Sequence, residues 1–350
     1  MRGYELLFAN YVAHTTRSAD VVKIARSSYS EARQKLSWEA FAYLLDRTQI
    51  DSELWHGHRV RAVDGTRIQL PRSEEILSEF PIRNNSFGES HYPMLSLIVA
   101  ADAFSCQPTH SLVGNKHLSE RESLKTLLSS FQGGDISILD RGFDGKKVWR
   151  HFEDCSQHFV GRLRVTGAGV TKIKKHLKDQ VVVIESMSIR IVRGPRLSTG
   201  NFLYLVTNLV DRKKYPRDEL LSLYKRRQAV EDTFLHLKHT LNAKNIRSKK
   251  VNGVLQEIYA ALTATSIVQG LRYLFEKSKK LRRVSFKAVA WRLETAFSLL
   301  TAPQSKTLQA AFGTISRIGH KIQSGRSCPR FSRQPENKWI KERRNTRDAR

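Results

Sequence analysis

The hydrophobic pattern along the chain changes period several times, and each change marks an element. Apolar positions in Ser28–Leu45 recur at helical spacing, with Ser37 and Glu39 resembling a fresh helix start. Arg59–Leu70 alternates basic or polar with apolar residues and ends at Pro71, which is strand periodicity. Met94–Phe104 is a more continuous apolar run, predicting a buried strand, and Gln107–Val113 predicts its hairpin partner. Ser119 and Glu122 form a capping box ahead of SLKTLLSSF, and Gly133–Gly134 closes that helix. Asp135–Leu139 reads as a short buried strand ending at Asp140, followed by a helix through Trp149 and Phe152. From Phe159 to Leu209 the pattern is β throughout. Val254–Phe275 predicts the most buried helix, and a further helix runs from about Ser285 to Leu300.

Between these lies Tyr215–Leu241, which reads as one long helix. Pro216 suits the first helical position, and Asp218 and Glu219 suit the positive end of the helix dipole. Tyr224, Arg227, Glu231 and Lys238 stand at offsets of 3, 7 and 14 from the tyrosine. On a straight helix they share a stripe roughly 60° wide. A solvated charged face explains such a stripe on an isolated helix. Converging carboxylates elsewhere in the chain would give it a chemical meaning.

Charge changes the picture most. Sixty Lys and Arg face 33 Asp and Glu in 350 residues, a formal net charge of +27. That excess predicts a polyanionic partner, since basic groups on a phosphate backbone release condensed counterions. An apolar fraction of 40% with 16 Phe, 10 Tyr and 5 Trp supports a real core. No apolar run is long enough for a membrane span, and the N-terminus lacks a secretory-signal pattern. Three widely spaced cysteines offer neither a disulfide framework nor a metal pair, which fits a reducing cytoplasm, and the histidines show no zinc spacing.

Asp64 sits mid-strand, where a lone carboxylate is costly unless a cation attends it. An exposed aspartate paired with Arg61 or Arg67 is the plainer alternative. Asp140 ends a buried strand before a turn glycine, the position where α/β sheets place their chemistry, although an N-cap aspartate would look the same. With Glu231 these make three carboxylates on two strands and a helix. The element order predicts an α/β (α+β) fold, a ribonuclease H-like mixed sheet flanked by helices. Hard oxygen donors of this kind select Mg²⁺ or Mn²⁺. Glycoside hydrolysis also uses paired carboxylates, but the basic chain and the Tyr, Arg and Lys beside the glutamate favour phosphate.

Together these residues resemble bacterial DDE transposases of the insertion-sequence-four type. Tyr224, Arg227, Glu231 and Lys238 match the spacing Tyr-x2-Arg-x3-Glu-x6-Lys, AVDGTRIQLP resembles the first-aspartate region and LDRGFDG the second. VTNL, SYSEARQKLSWEAF and RSCPR also match. The resemblance implies that Asp64, Asp140 and Glu231 hold two Mg²⁺ or Mn²⁺ ions. Tyr224, Arg227 and Lys238 would grip DNA phosphates. The implied activity is cut-and-paste transposition through a hairpin, by a homodimer acting on double-stranded terminal inverted repeats and target DNA in the cytoplasm, at the nucleoid. A silent DNA-binding derivative and a structure-specific nuclease are the rival functions. Expected parts are a helical DNA-binding or dimerisation module at 1–57, catalytic core at 58–158 and 211–302, a β-rich insertion at 159–210, and a basic tail at 303–350. The helical module is short for the family and lacks an evident starting cap, as if sequence preceded it. The family's insertion-region tryptophan is missing between Trp149 and Trp291, leaving Phe159, Phe202 or Tyr204 to stack a flipped base.

Overall fold

The computed structural model describes residues 26–82, 84–85, 88–89, 91–114, 119–164, 174, 176–197, 200–241, 245–278, 282–300 and 320–321. The expected basic tail, apart from His320–Lys321, and the first 25 residues lie outside them.

Eight strands form one sheet: β1 (Val60–Gln69), β2 (Met94–Asp102), β3 (Pro108–Gly114), β4 (Ile136–Leu139), β5 (His158–Arg162), β6 (Asp179–Ile184), β7 (Met187–Arg196) and β8 (Phe202–Thr207). Their order across the sheet is β3-β2-β1-β4-β5-β8-β7-β6. The first three strands are antiparallel neighbours, and β1, β4 and β5 run parallel. This is the mixed sheet that the element order predicted. The strands of 179–207 are not a separate sheet: β8 pairs antiparallel with β5 and continues the first five strands outward.

Strand alternation sorts side chains onto two faces. Val60 and Ala62 of β1, with Ile136 and Ile138 of β4, join one core. Val63 and Leu139 join the other. The second face is covered by α4 (Glu120–Leu128) and α5 (Lys146–Asp154), through Leu124, Leu128, Trp149 and Phe152. The expected capping box at Ser119 and Glu122 is complete, both reciprocal bonds being made. The first face carries α6 (Arg217–Lys225), α7 (Gln228–Leu235) and α8 (Val251–Ser278). Two N-terminal helices, α1 (Arg26–Lys35) and α2 (Glu39–Arg47), clamp onto α8. Arg33 donates to Gln256, to the Gly253 carbonyl and to Glu257, and Trp38 stacks on Tyr259 at 4.9 Å. Arg33 of α1 is therefore committed to packing, while Lys35 is exposed. The short α3 (Glu74–Glu79) and α9 (Phe286–Leu300) complete the helices.

The uninterrupted helix expected at Tyr215–Leu241 is corrected. It is pinched between α6 and α7, where the amides of Arg226, Arg227 and Ala229 each bond three residues back rather than four. It then widens into a π-helical turn at His236–Thr240. Uniform periodicity could not foresee either change, because no proline or glycine marks them in the sequence.

Arg190 on β7 is fully buried and anchors the approach to this helix. It forms a bidentate pair with Asp179 at 2.7 and 3.0 Å and donates to the Leu209 and Tyr215 carbonyls. Gly194 on the same strand lets α6 lie close, since a Cβ there would stand 2.9 Å from Leu221. Arg190→Met removes one partner of a buried pair and strands two carbonyls. It is expected to destabilise the fold by about 3–5 kcal/mol. A thermal melt by circular dichroism indistinguishable from wild type would contradict the anchoring role.

Candidate active site

Asp64 and Asp140 come together through sheet register. Val63 pairs with Leu139 on adjacent parallel strands, so each aspartate lies one step beyond a paired position. Neighbouring strands are roughly 4.8 Å apart. Asp64 shares alternation with Ala62, and Asp140 with Ile138, so both belong to the face on which α6 and α7 pack. Arg61 is buried against Asp135 on the other side of the strand, and Asp140 makes no side-chain capping bond to the turn that follows it.

The electrostatics record the proximity. Burial raises the Asp64 carboxyl above the ordinary aspartate range, and the neighbouring charge of Asp140 raises it further. A bond from the Gly65 amide at 2.8 Å and the charge of Arg227 pull the other way. Glu120, at the start of α4, adds a third negative charge from the opposite face. Gly65 makes room for it, since a Cβ there would stand 3.2 Å from the Glu120 carboxyl.

Across from the aspartates, α6 and α7 present Tyr224, Arg227 and Glu231. Arg227 forms an ion pair with Glu231 at 2.6 Å, four residues on. Burial opposes its charge, but Glu231, Tyr224 and Asp140 together hold the guanidinium above its ordinary range. Tyr224 is buried beside Arg227, and its hydroxyl proton has no acceptor among the described residues. Burial pushes that phenol up to about 12, so it remains a donor at neutral pH. Lys238 lies half-buried in the π turn, about three turns past Arg227, so the single straight stripe does not describe it.

Among the described residues, no three His, Cys, Asp or Glu side chains are grouped to hold a metal ion. Asp64 and Asp140 stand together, and Glu231 is turned to Arg227. The pair of hard, mutually repelling carboxylates fits a divalent cation, and Arg227 is the positive group that now stands beside them.

Sequence reasoning missed Arg162. It is the last residue of β5, next to Asp140 across the register, and it shares the Val160 face. Its charge acts on Tyr224. Only the strand order brings it there. Arg121 was also missed. It donates to the Gly142 and Asp144 carbonyls and holds the turn after Asp140.

Comparison with known proteins matches residues 55–267 to the transposase DDE domain family. The chain belongs to that family. The match covers β1 through most of α8, hence both aspartates, the signature helix and the strands between. Within the DDE transposases it is 23% identical over 271 residues to the transposase InsG of insertion sequence element IS4 from Escherichia coli K12, covering 70% of this chain. The putative transposase InsZ of the same strain is 21% identical over 147 residues, 39% of this chain and 49% of InsZ. The insertion-sequence-four resemblance read from the motifs is thus borne out. The chain spans about three fifths (61%) of the length of InsG. A solved piggyBac transposase synaptic complex with hairpin DNA aligns at a TM-score of 0.46 and 12% identity, covering 82% of this chain and 62% of that one.

The raised Asp64 carboxyl makes a stability prediction for the metal-free protein. A carboxyl raised in the folded state binds its proton more tightly there than when unfolded, so stability falls as pH rises from the ordinary aspartate range through the raised one. Asp64→Asn removes that loss. The variant should melt about 1–3 °C above wild type at pH 7 without divalent ions, and the gap should close below about pH 4. A variant that melts lower at pH 7 would contradict the charge repulsion.

Proposed function

We propose that this protein is a DNA transposase that excises and inserts a mobile element by metal-dependent phosphodiester chemistry at the element's ends. The observation that carries the reading is the pairing of Asp64 and Asp140 on adjacent strands, beneath the helix that bears Tyr224, Arg227 and Glu231. Membership of the transposase DDE family and the +27 charge support it.

Asp64, Asp140 and Glu231 are the residues that would hold Mg²⁺ or Mn²⁺. A pair of divalent ions held by these residues would supply Lewis-acid activation of a water or a 3′-hydroxyl and charge stabilisation at the leaving oxygen. The protein's own groups supply position. Arg227 and Arg162 have the charge to seat a backbone phosphate beside Asp140, and the Tyr224 hydroxyl, whose proton has no acceptor among the described residues, is a ready donor for it. A bidentate guanidinium fixes the phosphate's orientation as well as its place, and Lys238 adds a more flexible cation further along. The duplex partners in this reading are terminal inverted repeats and target DNA, held by a homodimer in the cytoplasm at the nucleoid.

For the stacking of a flipped base, the structure favours one of the three aromatic candidates. Phe159 and Tyr204 are buried in the core, while Phe202 is 39% exposed. Arg193 and Arg196 lie over its ring at 4.9 and 6.0 Å. An exposed ring flanked by guanidiniums suits an unpaired base.

Three measurements test this. Asp64→Asn, Asp140→Asn and Glu231→Gln should each abolish Mn²⁺-dependent nicking of end DNA while retaining binding of the duplex. Nicking that persists in any of them removes that residue from the catalytic set. A nuclease without strand transfer would yield no joined products from wild type. Arg227→Ala and Arg162→Ala should each weaken end binding and reduce the slope of log affinity against log salt by about 1, and an unchanged slope excludes the phosphate contact. Phe202→Ala should weaken binding of DNA carrying an unpaired base by about 1–3 kcal/mol, with Phe202→Trp restoring it and fully paired duplex unaffected.

A further inference from the structure

The signature helix pairs its own glutamate with an arginine, and among the described residues Glu231 is not grouped with the two aspartates as a metal-ligand set. The Arg227 guanidinium and Glu231 carboxylate are 2.6 Å apart on one face of α7. The same guanidinium lies within the field of both Asp64 and Asp140. One cation therefore answers three carboxylates, and it does so from the element that carries one of them. A divalent ion entering beside it meets a positive charge already in place and finds Glu231 engaged. Next to Arg227 is the buried Tyr224 hydroxyl, whose proton has no acceptor among the described residues, in a place where an oxyanion would supply one. The backbone is pinched at Arg226–Arg227, so the ion pair begins where the regular helix is interrupted.

Resting on the transposase reading above, we propose that Arg227 is the positioning residue for Glu231. It withholds the glutamate until a DNA phosphate takes the guanidinium, so end binding and divalent-ion binding are coupled through this one side chain. A phosphate seated bidentately on the fork, with Tyr224 donating to it, neutralises the charge that retains Glu231 and repels the carboxylate. Glu231 is then available to Asp64 and Asp140. Because linkage is reciprocal, an ion held by all three carboxylates frees Arg227 for the phosphate in turn. The protein alone would bind divalent ions weakly, and its site would assemble on DNA.

The test is Mn²⁺ affinity of the full chain without DNA, measured by the electron paramagnetic resonance of unbound Mn²⁺ on wild type, E231Q, R227Q, the R227Q/E231Q double variant and D64N. The expected result is that E231Q stays within about twofold of wild type, because Glu231 is not yet a ligand. R227Q should tighten Mn²⁺ binding on the order of tenfold, and the double variant should lose that gain. Adding duplex end DNA to wild type should produce a tightening that E231Q lacks. Two results overturn the proposal: E231Q weakening the DNA-free site as much as D64N does, or the R227Q gain surviving intact in the double variant. The second would leave only a general field effect of the removed charge. Should R227Q fail to fold, R227K retains the charge without the fork. It should then show a smaller Mn²⁺ gain that E231Q again cancels, and a gain insensitive to E231Q counts against the coupling. A D64N variant that binds Mn²⁺ as wild type does sinks the metal-site reading itself, and the coupling with it.

Discussion

Two negative charges held side by side on neighbouring strands repel each other, and much of the architecture answers that repulsion. The backbone cannot separate Asp64 from Asp140, because parallel pairing of β1 and β4 fixes their spacing and alternation fixes their shared face. The partial burial of Asp64 raises the cost of charging it beside Asp140. A sheet built only for stability would put an apolar pair at this position, as it does one residue earlier with Val63 and Leu139. Carrying the repulsion makes sense where a cation is to be held. The chain offers one of its own in Arg227, and under the proposed function an acidic site in so basic a chain would give a metal ion and a nucleic-acid backbone adjoining places to bind.

The helix opposite the aspartates is not a passive support. Its first half is pinned to the extended sheet by the buried Arg190, which ties β7 to the loop entering α6, and by the close approach that Gly194 permits. Its second half docks through Ala229, Val230 and Phe234, and Thr233 donates to the Cys106 carbonyl. Between these two fixed regions lies the tightened turn at Arg226–Arg227, and beyond them the π turn carrying Lys238. Departures from α geometry of this sort concentrate at functional positions, where they redirect side chains that a straight helix would leave in line. The strands of 179–207 share this task. By joining the main sheet rather than folding separately, they become the platform on which α6 is aimed.

The residues that lend meaning to the site fall into two groups. Asp64, Asp140, Tyr224, Arg227 and Glu231 can be singled out by type and position, a carboxylate within a strand, another at a strand's end and the spaced Tyr, Arg and Glu of one helix, although each alone has a plainer explanation. Arg162 does not. An arginine closing an alternating strand is commonplace, and it matters only because β5 lies beside β4. Glu120 likewise reads as an ordinary first-turn helix acid until Gly65 is seen to admit its carboxyl. Phe202 is separated from Phe159 and Tyr204 by exposure alone, which depends on which strand each residue closes or crosses.

The sequence by itself determined the period of nearly every element, the capped start of α4, the acidic and basic residue types of the candidate site and the large net positive charge. These depend on local backbone preference, alternation and summed charge, all of which act over a few residues or require no geometry. The tertiary structure decided the strand order, the shared face of the two aspartates, the burial of Arg190 and the two breaks in the signature helix. It also turned Glu231 toward Arg227 rather than toward the aspartates. Those outcomes are set by packing between segments far apart in the chain, where side-chain volume and the competition of one cation among several carboxylates override what any short stretch prefers.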